Sequence, residues 1–237
     1  MAYQGIFKRK ELKYMLNAEQ YQTVLSLLDG HMKPDDYGLS LICSLYFDTP
    51  DFRLIRTSMQ KPTYKEKLRL RSYGVPTDGS LAFAEIKKKY KGIVYKRRVM
   101  LPYADALGWL RGERGYPEPC QISREIDYLK EYYAPLLPAC VLCYDRIAYY
   151  CEYDEGLRVT FDTNIRYRFD DLDIRSGSGG EYLTHDGQYL MEIKIAGGMP
   201  VWLARGLCDA GIYPTSYSKY ANAYMKHQEK ILLHTKG

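Results

Sequence analysis

The feature that most restricts the fold of this chain is a period-two alternation of apolar and charged residues that recurs from its first residues to about position 195. In Lys65-Glu66-Lys67-Leu68-Arg69-Leu70-Arg71, strand geometry sends successive side chains to opposite faces. Lys65, Lys67, Arg69 and Arg71 then share one face, while Leu68 and Leu70 occupy the other. Similar alternation marks residues 7–15, 41–47, 64–73, 81–90, 93–101, 139–153, 157–168 and 188–195, which predicts roughly eight strands. Twenty-five tyrosines against 6 Phe and 2 Trp suit half-wet strands of this kind.

Tyr90-Lys91-Gly92 and Asp154-Glu155-Gly156 separate alternating runs and read as hairpin turns, so antiparallel pairing is expected. Between the strands lie helical patterns. Asn17 caps a run carrying Tyr21, Val24, Leu25 and Leu28 on one face, and Ser123, with Asp127 behind it, opens another that reaches about residue 133. Further helices are expected at about 50–60, 102–111, 200–210 and 218–234. Ser176-Gly177-Ser178-Gly179-Gly180 is too short for a domain linker and reads as a mobile surface loop. With 237 residues and 46% hydrophobic content, the expectation is a single domain spanning 1–237, and disorder is excluded as the main state.

Composition excludes several classes. The net charge of +5 is mild, so a strong positive field must come from clustering. Cysteines 43, 120, 140, 143, 151 and 208 form no paired CxxC blocks, which fits a reduced, cytoplasmic chain and offers no zinc site. Cys140 and Cys143 face opposite ways on a strand and read as buried thiols. No apolar stretch approaches the ~20 residues of a membrane span, and the N-terminus lacks the apolar core of a signal peptide. There is no GxxxxGK[ST], GxGxxG, GxSxG or HExxH motif, and His31, His185, His227 and His234 are dispersed and take no catalytic role.

The charges themselves are organised. Arg9, Glu11 and Lys13 share a face; so do Arg158, Thr160 and Asp162, and so do Glu192 and Lys194. In the 85–98 hairpin, Glu85, Lys87 and Lys89 are in phase, and Lys96 and Arg98 are in phase on the return strand. One reading is a set of ordinary amphipathic strands with solvated charged faces. The other turns these faces inward around a lumen, where cations on strand after strand, Lys67 and Arg98 included, require a polyanion and a metal to compensate them. A string of phosphates is such a ligand, since arginine forks and lysine ammoniums both match phosphate oxygens and a carboxylate can share Mg²⁺ or Mn²⁺ with them.

The motifs Arg9-x-Glu11-x-Lys13-Tyr14, Ser44-Leu45-Tyr46-Phe47-Asp48-Thr49-Pro50, Lys67-Leu68-Arg69-Leu70-Arg71 and Glu85-Ile86-Lys87 occur in this order along the chain. They are followed by Tyr144-Asp145-Arg146, Leu157-Arg158-Val159-Thr160-Phe161-Asp162, Met191-Glu192-Ile193-Lys194 and Ser216-Tyr217-Ser218-Lys219-Tyr220. The series resembles the VTC domain, a polyphosphate polymerase core related to the triphosphate tunnel metalloenzymes and the CYTH hydrolases and cyclases.

The resemblance implies an α+β fold, an eight-stranded antiparallel β-barrel with helices packed on its outside, in which ATP gives its γ-phosphate to a growing polyphosphate chain. It implies phosphate-binding roles for Lys13, Arg69, Arg71, Lys87, Arg146, Arg158 and Lys219, with Arg69, Arg71, Lys87 and Lys219 nearest the chemistry. Lys96 matches the return strand of the hairpin, Ser218 is a phosphate hydrogen-bond donor beside Lys219, and Glu192 matches the glutamate that holds Mn²⁺ or Mg²⁺. Lys67 and Arg98 join the phosphate-binding set through the faces described above. Arg9 stands where the hydrolases' ExExK motif has its first glutamate, which favours polymerase over hydrolase. The alternatives are a metal-dependent triphosphatase on the same fold and a noncatalytic module binding polyphosphate or inositol phosphates. Nucleic acid is disfavoured, because the tyrosines form no RNP-like aromatic pair.

Overall fold

In a computed structural model, which describes residues 10–91 and 93–234, each alternating segment holds a strand. The strands are β1 (Lys10–Leu16), β2 (Lys33–Pro34), β3 (Ser40–Asp48), β4 (Tyr64–Tyr73), β5 (Leu81–Tyr90), β6 (Ile93–Pro102), β7 (Leu137–Tyr150), β8 (Arg158–Arg168), β9 (Glu181–Tyr182) and β10 (Tyr189–Ile195). The helices are α1 (Ala18–Leu28), α2 (Arg53–Met59), α3 (Tyr103–Arg111), α4 (Gln121–Tyr132), α5 (Val201–Asp209) and α6 (Lys219–His234). The fold class is α+β, with antiparallel pairing throughout the registered strands. Residues 7–9 of the first expected strand, Arg9 among them, and Gly92 of the hairpin lie outside the described residues. The two-residue strands β2 and β9 escape a sequence reading because they are too short to show a period.

The chain divides into two compact units. The first comprises residues up to Ser40, Tyr144–Ile165 and Thr184–Ser218; the second comprises Leu41–Cys143, Arg166–Leu183 and the chain from Lys219 onward. In the first, β1, β10, β8 and the later part of β7 are neighbours in that order. Their apolar face, with Leu16, Val159, Phe161, Met191 and Ile193, packs with Val24 and Leu28 of α1 and Leu203 and Leu207 of α5. In the second, the earlier part of β7 is followed by β3, β4, β5 and β6. Leu45, Phe47, Leu68, Leu70, Ala84 and Ile86 form its apolar face, packed with Leu54 of α2, Tyr103 and Trp109 of α3, and Ile126 and Leu129 of α4. Burying each large apolar side chain contributes about 1.5–3 kcal/mol, so the leucine faces are committed to the cores and the charged faces are left on the other side of each sheet.

Helix ends follow local chemistry. Asn17 and Gln20 form a capping box at α1. At α4 the cap is Cys120 rather than the expected Ser123, because Ser123 lies three residues in and its hydroxyl accepts the Cys120 N–H at 2.8 Å. α2 begins at Arg53 instead of near Pro50, since the Thr49 hydroxyl accepts the Arg53 N–H at 2.8 Å after a turn closed by Phe52 N–H to the Thr49 carbonyl. Tyr90 pairs with Ile93, so a two-residue turn closes the β5–β6 hairpin, with Lys91 at φ +45° as such turns require. Cys140 and Cys143 are buried.

The segment 176–180, expected as a mobile loop, is tethered. The Arg168 guanidinium donates to the carbonyls of Asp171, Asp173, Gly177 and Gly179 at 2.6–3.0 Å. Gly180, at φ +144°, passes so close to Tyr167 that a Cβ would lie 2.5 Å from its carbonyl oxygen.

Candidate functional site

The register of the second unit turns the period-two pattern into cross-strand rows. Lys67 of β4 faces Lys87 of β5, which faces Lys96 of β6. In the next row Tyr46 of β3 faces Arg69, Arg69 faces Glu85, and Glu85 faces Arg98. Beyond it Ser44 faces Arg71 and accepts its Nε–H at 3.3 Å. Side chains directly opposite on one face sit about 4.5–5.5 Å apart at Cβ, so these cations are held close by the sheet itself.

Glu85 is the acid at the centre of this face and is 1% exposed. One of its oxygens takes Arg69 at 2.6 Å and the other takes Lys96 at 2.7 Å. Burial alone would raise its pKa, but Arg69, Arg71 and Lys96 outweigh that and hold the carboxyl far below its ordinary range. Lys96 goes the other way. Burial of its ammonium end lowers it most, Glu85 partly restores it, Arg69 and Arg71 lower it further, and it settles at about 7. Arg98 lies over the Phe83 ring at 4.6 Å, as guanidiniums do on aromatic faces.

The first turn of α6 is tied to the end of β3. The Tyr220 hydroxyl donates to Asp48 at 2.9 Å, while Asp48 also accepts the Thr49, Leu54 and Ile55 backbone N–H groups at 2.8–3.0 Å. Tyr220 stacks on Tyr46 at 4.6 Å and carries Lys67 over its ring at 5.9 Å. Two short motifs that sit far apart in sequence therefore meet here, and their meeting places Lys219 in the field of Tyr46.

The first unit carries a second charged face. Lys13 of β1 faces Glu192 of β10, which faces Thr160 of β8. The Lys13 ammonium lies 3.3 Å from Glu192 and 3.4 Å from Glu11. Arg146 grips fully buried Asp162 through two hydrogen bonds of 2.6 and 2.7 Å and approaches Glu192 at 3.8 Å. Arg146 also lies over the Tyr144 ring at 5.2 Å. Among the described residues the Thr160 hydroxyl is buried on this face without a hydrogen-bond partner. Arg158 is half-exposed and bonded to Asp35 at 2.9 Å, at the margin of the set.

Of the residues singled out from sequence, Lys67, Arg69, Arg71, Lys87, Lys96 and Arg98 share the strand face of the second unit, with Lys219 opening α6 in the same unit. Lys13, Arg146 and Glu192 come together in the first unit, where Arg158 stands apart and Ser218 directly precedes α6. Glu85 has no role among the residues singled out from sequence, although a single acid among so many in-phase cations is a visible signal. Tyr46 is likewise absent from that set, because its position beside Arg69 depends on the β3–β4 register.

The family model described as the VTC domain matches residues 8–227. The vacuolar transporter chaperone complex subunit 4 of Trypanosoma brucei brucei is 22% identical over 80% of this chain, and the matched region spans 30% of that relative's length. Two crystal structures share the fold. One is a Bacillus halodurans protein put forward as an adenylate cyclase, with a TM-score of 0.55, 16% identity, and coverage of 90% of this chain and 94% of that one. The other is a Vibrio parahaemolyticus protein put forward as the same activity, with a TM-score of 0.50, 12% identity, and coverage of 93% and 99%.

Proposed function

Because this chain belongs to the VTC domain family, we propose that it is an ATP-dependent polyphosphate polymerase, transferring the γ-phosphate of ATP to the end of a polyphosphate chain and releasing ADP. The observation that carries this reading is the pair of adjacent rows Lys67-Lys87-Lys96 and Tyr46-Arg69-Glu85-Arg98, a face whose cations are spaced by the sheet and exceed its acid. Such a face suits a ligand with many anionic oxygens in line.

The chemistry needs little from the protein beyond position and charge. A terminal phosphate oxygen of the chain attacks the γ-phosphorus, the bond to the β-phosphate oxygen breaks, and that oxygen leaves on ADP. The nucleophile is already anionic, so no histidine or serine triad is required. Charge spreads over the oxygens of the transferred group, and Arg69, Arg71, Lys87 and Lys219 are assigned to meet it. Lys13, Lys67, Lys96, Arg98, Arg146, Arg158 and Ser218 are assigned to hold the remaining phosphates.

Among the described residues no three of His, Cys, Asp and Glu gather as a metal cage. Glu192 has one oxygen near Lys13 and the other near Arg146. That donor set fits a Mg²⁺ or Mn²⁺ ion that arrives with phosphate and shares Glu192, as these hard ions do when they keep phosphate oxygens and water as their other ligands. Bound there, the ion would neutralise charge on the phosphate oxygens.

The test is incubation with ATP and Mn²⁺, followed by gel staining for polyphosphate. A ladder of products is expected. Orthophosphate without a ladder would make the protein a triphosphatase, and triphosphate binding without turnover would make it a binding module.

A further inference from the structure

Two phenols stack in the second unit, and they use their hydrogens differently. Tyr220 donates its proton to Asp48 at 2.9 Å. Tyr46, 8% exposed, only accepts: Arg69 Nη1 donates to its oxygen at 3.0 Å. A phenol has one proton to give, and among the described residues Tyr46 has no acceptor for it. A buried donor left unused costs free energy, so a site that keeps one has a use for it or a partner that arrives later.

We propose that the Tyr46 hydroxyl is a substrate-contacting donor, giving its hydrogen bond to a non-bridging oxygen of the phosphate group held by Arg69. The surroundings favour an anionic acceptor over any other. Arg69 and Arg71 come from β4, Lys219 and Tyr220 from α6, and the acid Glu85 of β5 is paired with Arg69 at 2.6 Å and acts on Arg71 as well. Burial would push the phenol up, yet Arg69, Arg71 and Lys219 outweigh it and hold its pKa below the ordinary tyrosine value. A more acidic phenol is a better donor to an oxyanion. Stacking on Tyr220, itself anchored to Asp48, fixes the ring, so the hydroxyl is placed before ligand arrives. This rests on the phosphate-binding reading of the same face.

Calorimetry with inorganic triphosphate on the full chain tests it. Tyr46→Phe keeps the ring and removes the donor, and should weaken triphosphate binding about 10–100-fold, as expected for one hydrogen bond to a charged group, with the unliganded melting temperature preserved. Wild-type affinity in Tyr46→Phe overturns the proposal. If the phenol merely steadies Arg69, Tyr46→Phe will add nothing once Arg69→Lys is present; a further several-fold loss in the double variant is the result expected from direct contact. Should Tyr46→Phe fold poorly, 3-fluorotyrosine at the same position retains shape and hydroxyl and must move the alkaline limb of binding to lower pH; an unmoved limb overturns the assignment. Failure of the unaltered protein to bind triphosphate would instead remove the phosphate-binding reading, whatever Tyr46 does.

Discussion

The two charged faces are built from the same kind of strand, and they balance their charges in opposite ways. In the first unit acids and bases are matched: Arg146 grips Asp162, and Glu192 lies between Lys13 and Arg146. In the second unit Lys67, Lys87, Lys96, Arg69, Arg71 and Arg98 gather around Glu85. The first face sets acids beside bases, while the rows of the second set Lys67, Lys87, Lys96, Arg69 and Arg98 against the single acid Glu85. Alternation along a strand puts charges on a face; register between strands decides whether they cancel.

Breaking each face at its central pair should separate these cases most widely. Arg146→Ala leaves the Asp162 carboxylate, at 0% exposure, without its guanidinium, and Glu85→Gln leaves Arg69 and Lys96 without their carboxylate. Each is expected to cost about 3–5 kcal/mol in urea unfolding, the range for a buried pair losing one partner. Triphosphate should then tell them apart. It can replace the missing acid of Glu85→Gln, so its stabilisation, about 2.7 kcal/mol at 100 times the dissociation constant for a typical single site, should exceed that of the unaltered protein. It cannot replace the missing base of Arg146→Ala. Equal recovery of both variants would erase the contrast. The acid dependence has a definite sign: Glu85 has a depressed pKa, so its contribution is present above the ordinary glutamate range and fades as pH falls below it.

Next in size are losses of rate. Arg69→Ala or Arg71→Ala should lower turnover about 10²–10³-fold with cooperative unfolding retained, as when one positioned donor to a transferring group is removed. Normal turnover in both would sink the assignment of chemistry to the second face.

Metal dependence sharpens the comparison further. Glu192→Gln should lose the Mn²⁺ dependence of turnover yet still bind triphosphate, whereas Lys219→Ala should bind triphosphate more weakly with its Mn²⁺ titration unchanged. A normal Mn²⁺ titration in Glu192→Gln shifts the metal role to Glu11 or Asp162.

The smallest effect is a fraction of a proton. Lys96, lowered to about 7, is mostly neutral above that pH in the free protein, and a bound polyanion favours its charged form. Triphosphate binding should therefore take up protons at alkaline pH and none well below neutrality. Calorimetry in buffers of different ionisation heat reads this, and Lys96→Met should abolish it. Binding at alkaline pH without uptake would show that Lys96 does not meet the ligand.

Much of this was legible in the sequence, for physical reasons that also mark its limit. Leu68 and Leu70 against Arg69 and Arg71 fix a strand and its two faces with no further information. Convergence of Arg69 and Lys96 on Glu85 depends on the β4–β5 and β5–β6 registers, which are cross-strand properties. Tyr46 lies in a mostly apolar run with nothing in its spacing to mark it, and the hydrogen bonds of its phenol, which depend on β3–β4 register and on α6, set it apart from Tyr220. The glycine-rich segment looked mobile because composition does not show that Arg168 binds its carbonyls.

The hydrogen bond from Tyr220 to Asp48 spans 172 residues, and this sets an order of events during synthesis. Asp48 leaves the ribosome long before its partner. At about 5–20 residues per second, roughly 10–30 s pass between them. Through that interval β3 to β6 can pair and bring Arg69, Arg71 and Lys96 around Glu85, but Tyr46 has no ring against it and Lys219 does not yet exist. The nascent chain thus carries the cationic strands before Lys219 and Tyr220, the α6 residues that meet Tyr46, have been made.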